Sequence, residues 1–397
     1  MIAPILAALI IVIVAAKVSG WISVRIGQPA VLGELLAGLV LGPSLLGVFA
    51  FPYFAEAHVT DLLIELGEIG VILLMFVAGM DVHLQDMIKT GKPAVVAGTL
   101  GVLAPVVLTF AVAAAFGYGL TQSLFLGLVL AATSVSISAQ TLIELGVLRS
   151  REGIALLGAA VVDDVLSLLL LSVFAALVAS SGGGALGVLG IVLRMLVFLA
   201  VALLVAVRLL PWLPARMGKI PVSEPIVTGA VVVMLVFAWT AEELGGIAAI
   251  TGAFLAGIGM SRGSQSEAIR RGTHVLAYAF FVPIFLVSIG LQADVGELTP
   301  AAVALILALI LAAVVSKVLG AGVGARLGGL TWVESLRLGI GMISRGEVGL
   351  IVANVGLSMA LISPEVFTEV VLVVLATTLL APPLLKLAYR RKEVSHA

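Results

Sequence analysis

Long apolar stretches follow one another along nearly the whole chain, and short polar segments separate them. Thirteen of these stretches reach the length of about 17–25 residues that a helix needs to cross the hydrocarbon core of a bilayer. They cover residues 2–19, 29–47, 61–81, 92–116, 122–146, 153–178, 185–213, 222–241, 245–261, 274–293, 298–322, 330–357 and 364–388. The pattern therefore predicts an all-α polytopic protein with about thirteen transmembrane helices in a lipid bilayer.

The composition agrees with this pattern and excludes several other classes of protein. Hydrophobic residues make up 62% of the 397 residues and charged residues only 11%, whereas an average soluble domain has roughly 45–50% and 25%. The chain has no cysteine, which excludes disulfides and thiolate metal sites. Its net charge of −1 comes without a basic arm or stripe, so we expect no nucleic-acid partner. We expect no bound cofactor either.

The basic residues predict the orientation of the chain in the membrane. They lie in or beside the odd-numbered loops, at Lys17, Arg25, Lys89, Lys92, Arg149, Arg151, Arg208, Arg216, Lys219, Arg262, Arg270, Arg271, Lys317 and Arg326, and after the last span. The even-numbered loops contain no Lys or Arg. By the positive-inside rule, the N-terminus is predicted outside and the C-terminus in the cytoplasm. Arg337, in the first turns of span 12, is expected to snorkel to the cytoplasmic interface.

Two adjacent aspartates interrupt the apolar stretch at 153–178. Asp163 and Asp164 lie near its middle, where a carboxylate is costly and usually marks a site that handles cations or protons. On a helix their directions differ by about 100°, so we expect them to face different surroundings. A buried carboxylate for which a proton and a monovalent cation compete provides the chemistry of an antiporter.

Spans 5 and 12 carry polar residues at mid-membrane depth. Span 5 contains Thr133 and Ser134, and span 12 contains Arg345 and Glu347 beside glycines. Such interruptions at corresponding positions of two halves indicate discontinuous helices around a transport site. A hydrogen-bonded contact between helices would explain the polar residues of span 5 alone, but it would not explain both spans.

Similar segments recur seven spans apart, which predicts an inverted repeat. Span 2 resembles span 9, span 3 resembles span 10, and span 5 corresponds to span 12. Because an odd offset reverses the direction of a helix through the membrane, the two discontinuous helices are expected to run antiparallel and to cross. The predicted organisation is a first repeat at 1–178, a linker span at 179–221 and an inverted second repeat at 222–397. Arg345 and Glu347 are expected to compensate the partial charges of the half-helix ends, with direct ion handling as the alternative.

Four segments together resemble the second monovalent cation:proton antiporter family, which includes bacterial Na+/H+ antiporters, germination antiporters and Kef-type K+ transporters. They are GQPAVLGELLAGLVLGPSLLG from Gly27, ATSVSISAQTLIELG from Ala132, VVDDV from Val161 and GMISRGEVGLI from Gly341. The resemblance covers nearly the whole chain. It implies a homodimer in a bacterial cytoplasmic membrane that carries its ion by an elevator-like movement and has no enzymatic activity.

The resemblance also implies a role for the residues that match its motifs. Asp164 would bind the cation and carry the proton, and Asp163 would support it. Thr133 and Ser134 mark the extended peptide of span 5 and would contribute oxygen ligands. Glu34 matches the acidic residue of the span 2 motif and is interpreted as a helix-packing or gating group.

One departure from the family changes the expected stoichiometry. Electrogenic relatives with two adjacent aspartates have a lysine in the helix that corresponds to span 10, where it pairs with the first aspartate. Span 10 of this chain has no lysine, and Ser288 lies in the stretch where one is expected. Because Asp163 would then lack a cationic partner, we expect exchange of one proton per cation, which is electroneutral.

Sodium or lithium is the expected cation, because small hard cations suit a site of carboxylate and backbone oxygens. A Kef-type K+/H+ antiporter and an ion-coupled solute symporter on a similar scaffold are the alternatives. The sequence ends without the nucleotide-binding domain of Kef-type relatives, which favours Na+/H+ exchange. An intramembrane protease is not expected, because an aspartyl protease needs its two aspartates on separate helices and the four histidines lie in loops or at span ends.

Overall fold

Helices account for the regular structure of this protein wherever the chain is described. The computed structural model describes residues 2–81, 90–178, 184–218, 221–292, 299–358 and 361–390. Within these residues, ten helices are long and apolar enough to cross a membrane, and Ala30–Leu41 and Ala249–Met260 are shorter apolar helices. The all-α membrane fold is confirmed, while the count of thirteen spans stays a prediction.

Eighteen α-helices follow one another in the described part of the chain. The first eight are α1 (Ile2–Arg25), α2 (Ala30–Leu41), α3 (Pro52–Ala55), α4 (Val59–Asp81), α5 (Gly91–Ala115), α6 (Leu120–Ala131), α7 (Val135–Glu144) and α8 (Arg151–Val178). The next five are α9 (Gly184–Arg208), α10 (Leu213–Met217), α11 (Pro225–Thr240), α12 (Ala249–Met260) and α13 (Ser266–Leu276). The last five are α14 (Val282–Leu291), α15 (Pro300–Leu327), α16 (Trp332–Gly341), α17 (Glu347–Ser358) and α18 (Pro364–Arg390).

The chain folds into two compact units. The first unit comprises Met1–Leu66, Thr90–Ser167 and Pro283–Ala397, and the second comprises Gly67–Lys89 and Leu168–Val282. Each unit contains segments of both predicted repeats, since units defined by spatial contacts need not coincide with repeats defined by sequence similarity. The repeat boundaries therefore stay predictions, while the residues predicted for the ion site all belong to the first unit.

The two interrupted spans are discontinuous helices, as the sequence predicts. Between α6 and α7 the backbone leaves the helical conformation, with ψ of 133° at Ala132 and 106° at Ser134. The second break separates α16 from α17. The Ser134 N–H donates to the Ser344 carbonyl over 2.9 Å, and the Ser344 hydroxyl donates to the Ser134 carbonyl. The two breaks therefore meet, which satisfies backbone groups that have no water to bond to in a membrane.

Small residues let α15 pack closely against α5. An added methyl group on Gly320 or Gly324 would lie 2.5 Å from the carbonyl oxygens of Leu100 and Val96, respectively. Only glycine allows the two backbones to approach this closely. The glycines do not interrupt α15, which continues as one helix through the glycine-rich segment that follows Lys317.

A carboxylate from α7 caps the N-terminus of α2. Glu144 accepts hydrogen bonds from the backbone N–H groups of Ala30 at 2.7 Å and Val31 at 3.1 Å. The Gln140 side chain donates to the same carboxylate at 2.9 Å. A negative charge at this place offsets the partial positive charge of a helix start. The contact joins the second half of a discontinuous span to α2.

In the second unit, α4 and α12 pack closely at a glycine. An added methyl group on Gly257 would lie 2.2 Å from the carbonyl oxygen of Phe76, so the two backbones are in close contact.

The Arg194 side chain bonds to carbonyl groups at the end of a π-helix in the same unit. It donates from Nε to the Leu244 carbonyl at 2.7 Å and from a terminal nitrogen to the Glu243 carbonyl. Both carbonyls belong to the π-helix Ala241–Gly245, where the end of a helix leaves acceptors without helical partners.

Candidate ion-binding site

The aspartate pair is buried at the middle of α8. Asp163 is 0% exposed and Asp164 is 6% exposed. They are the thirteenth and fourteenth of the 28 residues of this helix. Because the residues around them on α8 are apolar, their carboxylates depend on polar groups from other helices.

Both carboxylate oxygens of Asp163 have a partner. Lys317 Nζ lies 2.7 Å from Oδ1, and the backbone N–H of Thr133 donates to Oδ2 over 3.2 Å. The side chains of Lys317 and Asp163 are 0% and 1% exposed. They form a fully buried ion pair, in which each charge depends on the other because an unpaired buried charge is costly.

Lys317 corrects two predictions made from the sequence. It lies inside α15, ten residues before the helix ends at Leu327, and not beside a loop. Asp163 therefore has a cationic partner, although none was expected from the sequence. The absence of such a partner was the reason to expect electroneutral exchange, and that reason no longer holds. The partner comes from the eleventh predicted span rather than the tenth. The stretch predicted at 298–322 already contains Lys317, which is the signal that could have identified it as a membrane residue.

Arg345 bonds to carbonyl groups around the discontinuous helices. Its Nε donates to the Leu130 carbonyl at 3.0 Å, and its terminal nitrogens donate to Ile343 at 2.6 Å and Ala313 at 3.0 Å. Leu130 lies in the last turn of α6, where the carbonyls carry partial negative charge. The Thr378 hydroxyl in turn donates to the Arg345 carbonyl. This geometry fits the predicted compensation of a half-helix end.

The hydroxyl groups of Thr133 and Ser134 differ in their surroundings. The Ser134 hydroxyl shares a hydrogen bond with the Ser136 hydroxyl at 2.8 Å. Thr133 Oγ1 is buried, and no residue in the described ranges forms a hydrogen bond with it. Since buried hydroxyls without a partner are uncommon, Thr133 Oγ1 is an oxygen that a ligand can use beside Asp163.

The remaining predicted site residues have other surroundings. Glu347 begins α17, but its side chain lies outside the described part of the structure. Ser288 donates to the Phe285 carbonyl of its own helix at 2.8 Å. Glu34 pairs with Lys17 of α1, whose Nζ lies 3.1 Å from Oε1. The contact of Glu34 agrees with the helix-packing interpretation.

A second buried ion pair connects α8 with α16 and α18. Arg337 Nη1 lies 3.0 Å from Glu152 Oε1, and both side chains are 6% exposed. The guanidinium also lies over the Tyr389 ring, 4.3 Å from its centroid. The expectation that Arg337 snorkels to the interface is wrong, because Glu152 supplies an opposite charge inside the first unit.

Known proteins share the sequence of this chain over most of its length. The chain matches the family described as sodium/hydrogen exchanger, transmembrane, over residues 10–389. It belongs to the sodium/hydrogen exchanger family. The Na(+)/H(+)-K(+) antiporter GerN of Bacillus cereus is 37% identical over 383 residues, which cover 96% of each chain. The Na(+)/H(+) antiporter of Enterococcus hirae is 35% identical, and the match covers 95% of this chain and 96% of that relative.

The fold is also similar to that of a solved sodium proton antiporter, MjNhaP1 from Methanocaldococcus jannaschii. The TM-score is 0.67 at 17% identity, and the match covers 97% of this chain and 96% of that chain. Identity this low supports the fold alone. Together with the family match, the comparisons confirm the predicted membership among monovalent cation:proton antiporters and the predicted fold class.

The charges around the aspartates of this exchanger balance one another. Lys317 interacts electrostatically with Asp163, Asp164 and Arg345, so two carboxylates face two cationic groups. With all four ionised the net charge is zero, and Asp164 can take up one positive charge as either a proton or a cation. Holding both at once would leave two unbalanced positive charges in the buried site, which is costly, so a cation that enters replaces the proton. The arrangement can therefore couple the entry of a cation to the release of a proton.

Proposed function

We propose that this chain exchanges Na+ or Li+ for H+ across a bacterial cytoplasmic membrane by alternating access. The observation that carries the proposal is the buried pair of Asp163 and Asp164 beside the break between α6 and α7, with Lys317 at 2.7 Å from Asp163. The names of GerN and of the Enterococcus hirae relative include Na+ and H+, which supports the same substrates here. Carboxylate and hydroxyl oxygens are ligands that hard cations prefer.

Asp164 is the proposed shared site of the cation and the proton. It follows Asp163 directly and points about 100° away from it on the helix. Asp163 uses its two oxygens for Lys317 and for the backbone of Thr133. Exchange at Asp164 therefore leaves the ion pair intact at first, while Thr133 Oγ1 and the peptide at Ser134 provide neutral oxygens beside it.

Lys317 changes the proposed stoichiometry. We propose that exchange moves net charge, in place of the electroneutral exchange expected from the sequence. A cation that binds at the aspartates competes with the Lys317 ammonium for Asp163. A buried ammonium without its partner is costly, and loss of its proton removes that cost. Asp164 gives up its own proton to the same cation, so two protons leave for each cation that enters.

The proposed transport cycle is an elevator-like movement in a homodimer, with the N-terminus outside and the C-terminus in the cytoplasm. The family resemblance and the distribution of basic residues support this assignment. Large apolar side chains along α1 support a lipid or subunit contact for that helix, such as Ile10 at 64% and Trp21 at 55% exposed.

Potassium is the second candidate cation. The name of GerN includes K+ beside Na+ and H+, and the match covers 96% of both chains. A comparison of Na+, Li+ and K+ in one transport assay decides between these cations. Cation-dependent alkalinisation of vesicles without any organic solute separates antiport from solute symport.

Proton flux in proteoliposomes tests the proposal. We expect Asp164→Asn to abolish Na+- and Li+-dependent alkalinisation of acid-loaded vesicles, because an amide carries neither the negative charge nor the exchangeable proton. Glu365→Gln is the matched control, since it neutralises an exposed carboxylate at the start of α18. Wild-type exchange by Asp164→Asn would contradict the proposal.

A further inference from the structure

We propose that Ser167 is a ligand of the transported cation and completes an oxygen site with Asp164 and Thr133. The inference rests on the proposed function and adds a residue that the family resemblance does not assign. The Ser167 hydroxyl would then set the affinity of the exchanger for Na+ and Li+.

Ser167 lies on the same side of α8 as both aspartates. It follows Asp163 by four residues and Asp164 by three, which turns it about 40° from the first and about 60° from the second. Its direction therefore falls between the two carboxylates, one turn further along the helix. Ala160 has a similar direction about one turn before the aspartates and presents only a methyl group there.

The Ser167 hydroxyl is buried, and the described part of the chain provides no hydrogen-bond partner for it. The residue is 7% exposed. Serine and threonine hydroxyls on membrane helices commonly donate to a carbonyl three or four residues earlier, and Ser167 does not. Hydroxyls with such bonds in this protein include those of Thr141, Thr273, Ser288, Ser316, Thr377 and Thr378.

Thr133 provides a second hydroxyl of the same kind next to the aspartates. Its backbone N–H lies 3.2 Å from Asp163 Oδ2, and its Oγ1 is likewise buried with no hydrogen bond to any described residue. Buried polar atoms are nearly always bonded, and exceptions call for an explanation such as a bound ion. A cation between Asp164, Thr133 and Ser167 explains both exceptions at once.

A serine hydroxyl suits this place chemically. It offers oxygen lone pairs without a charge, so it adds coordination and leaves the balance of two carboxylates and two cations unchanged. Hard cations take oxygen ligands of this kind. Neutral ligands beside Asp164 suit a monovalent ion, because the negative charge of that carboxylate and the charge of the cation cancel.

Transport kinetics of Ser167→Ala and Ser167→Thr test the inference. We expect Ser167→Ala to raise the apparent KM for Na+ by roughly tenfold, the scale seen when a group that supports a metal site is removed. The maximal rate should change little, because Asp164 still carries the proton. Ser167→Thr keeps the hydroxyl and should keep the KM of the wild type.

Ser335→Ala is the matched control, since it removes another buried hydroxyl without a partner among the described residues, on α16. Its apparent KM should equal that of the wild type. Thermal stabilisation of the purified protein by Na+ measures binding without transport, and Ser167→Ala should need more Na+ for the same shift. An unchanged KM in Ser167→Ala, or an equal rise in Ser335→Ala, would overturn the inference. Normal exchange by Asp164→Asn would instead overturn the proposed function.

Discussion

At the scale of single residues, the site depends on the ion pair of Asp163 and Lys317. The two groups lie 2.7 Å apart and are almost completely buried. The Thr133 N–H donates to the other carboxylate oxygen of Asp163. Arg345 donates its hydrogen bonds to backbone carbonyls. Lys317 is therefore the cationic side chain that we propose an entering ion displaces from Asp163.

Transport under an imposed membrane potential tests this role of Lys317. We expect the exchange rate of the wild type to depend on the potential, because more than one proton moves for each cation. Lys317→Gln should lose that dependence, since glutamine cannot carry a proton. The measurement is dye-reported proton flux in proteoliposomes with a K+ diffusion potential.

Lys92→Gln is the control for that experiment, because it removes an exposed lysine at the start of α5. Its exchange should keep the voltage dependence of the wild type. If the exchange rate and the end-point gradient of the wild type do not depend on the membrane potential, the electroneutral exchange expected from the sequence is supported and the role given to Lys317 is rejected.

At the scale of helices, polar side chains connect neighbouring helices near breaks and helix ends, where backbone N–H and carbonyl groups lack helical partners. Ser138 of α7 donates to the Gly341 carbonyl at the end of α16, over 2.5 Å. Glu144 caps the start of α2. Arg337 and Glu152 join α16 to the first turn of α8. The discontinuous helices are thus held by side chains as well as by packing.

The pair of Arg337 and Glu152 gives a prediction about stability. Arg337→Met should lower the free energy of unfolding by about 3–5 kcal/mol, because it leaves the buried Glu152 charge without a partner. The double variant with Glu152→Met should recover part of that loss, because it removes both charges. Thermal unfolding of the purified proteins in detergent measures both effects.

Arg270→Met is the matched control for that pair. Arg270 and Glu267 are 43% and 63% exposed at 2.8 Å, and exposed pairs contribute about 0–1 kcal/mol. The control should therefore unfold close to the wild-type temperature. Losses that simply add in the double variant would show that Arg337 and Glu152 are not coupled.

At the scale of the whole molecule, the bilayer and the basic residues decide how the chain is placed. Ten long apolar helices in the described residues need a membrane around them. The loops with Lys and Arg alternate with loops that have none, and the positive-inside rule predicts that the loops with Lys and Arg lie in the cytoplasm. The chain has no cysteine, so single introduced cysteines report their side of the membrane without background.

Labelling of such cysteines in intact cells tests the predicted orientation. Thr121→Cys lies in the exposed first turn of α6, next to a loop without basic residues, and should react with a membrane-impermeant maleimide from outside. Ser264→Cys lies beside Arg262 and should react only after the membrane is opened. The cysteine-free wild type is the control, and the opposite pattern would reverse the topology.

The spans, the two breaks and the aspartate pair could all be predicted from the sequence, because each is a local property. An apolar stretch can be recognised by its length and a break by polar residues within a span, and Asp163 and Asp164 are neighbours in the chain. The residues that pair with the buried charges could not be predicted in this way. Lys317 is 154 positions away from Asp163, and Arg337 is 185 positions away from Glu152, so no local pattern connects them.

The sequence by itself therefore determined that this is a helical membrane protein with broken helices and a pair of buried acids that suits cation and proton exchange. The tertiary structure decided which charges pair and which hydroxyls are left without a partner. The pairing of Asp163 with Lys317 removes the premise of the expected electroneutral exchange, and the buried oxygens of Thr133 and Ser167, which have no hydrogen-bond partner among the described residues, support the proposed cation site. The physical reason is that the cost of a buried charge or hydroxyl depends on what lies within hydrogen-bonding distance, and only the packing of distant helices sets that distance.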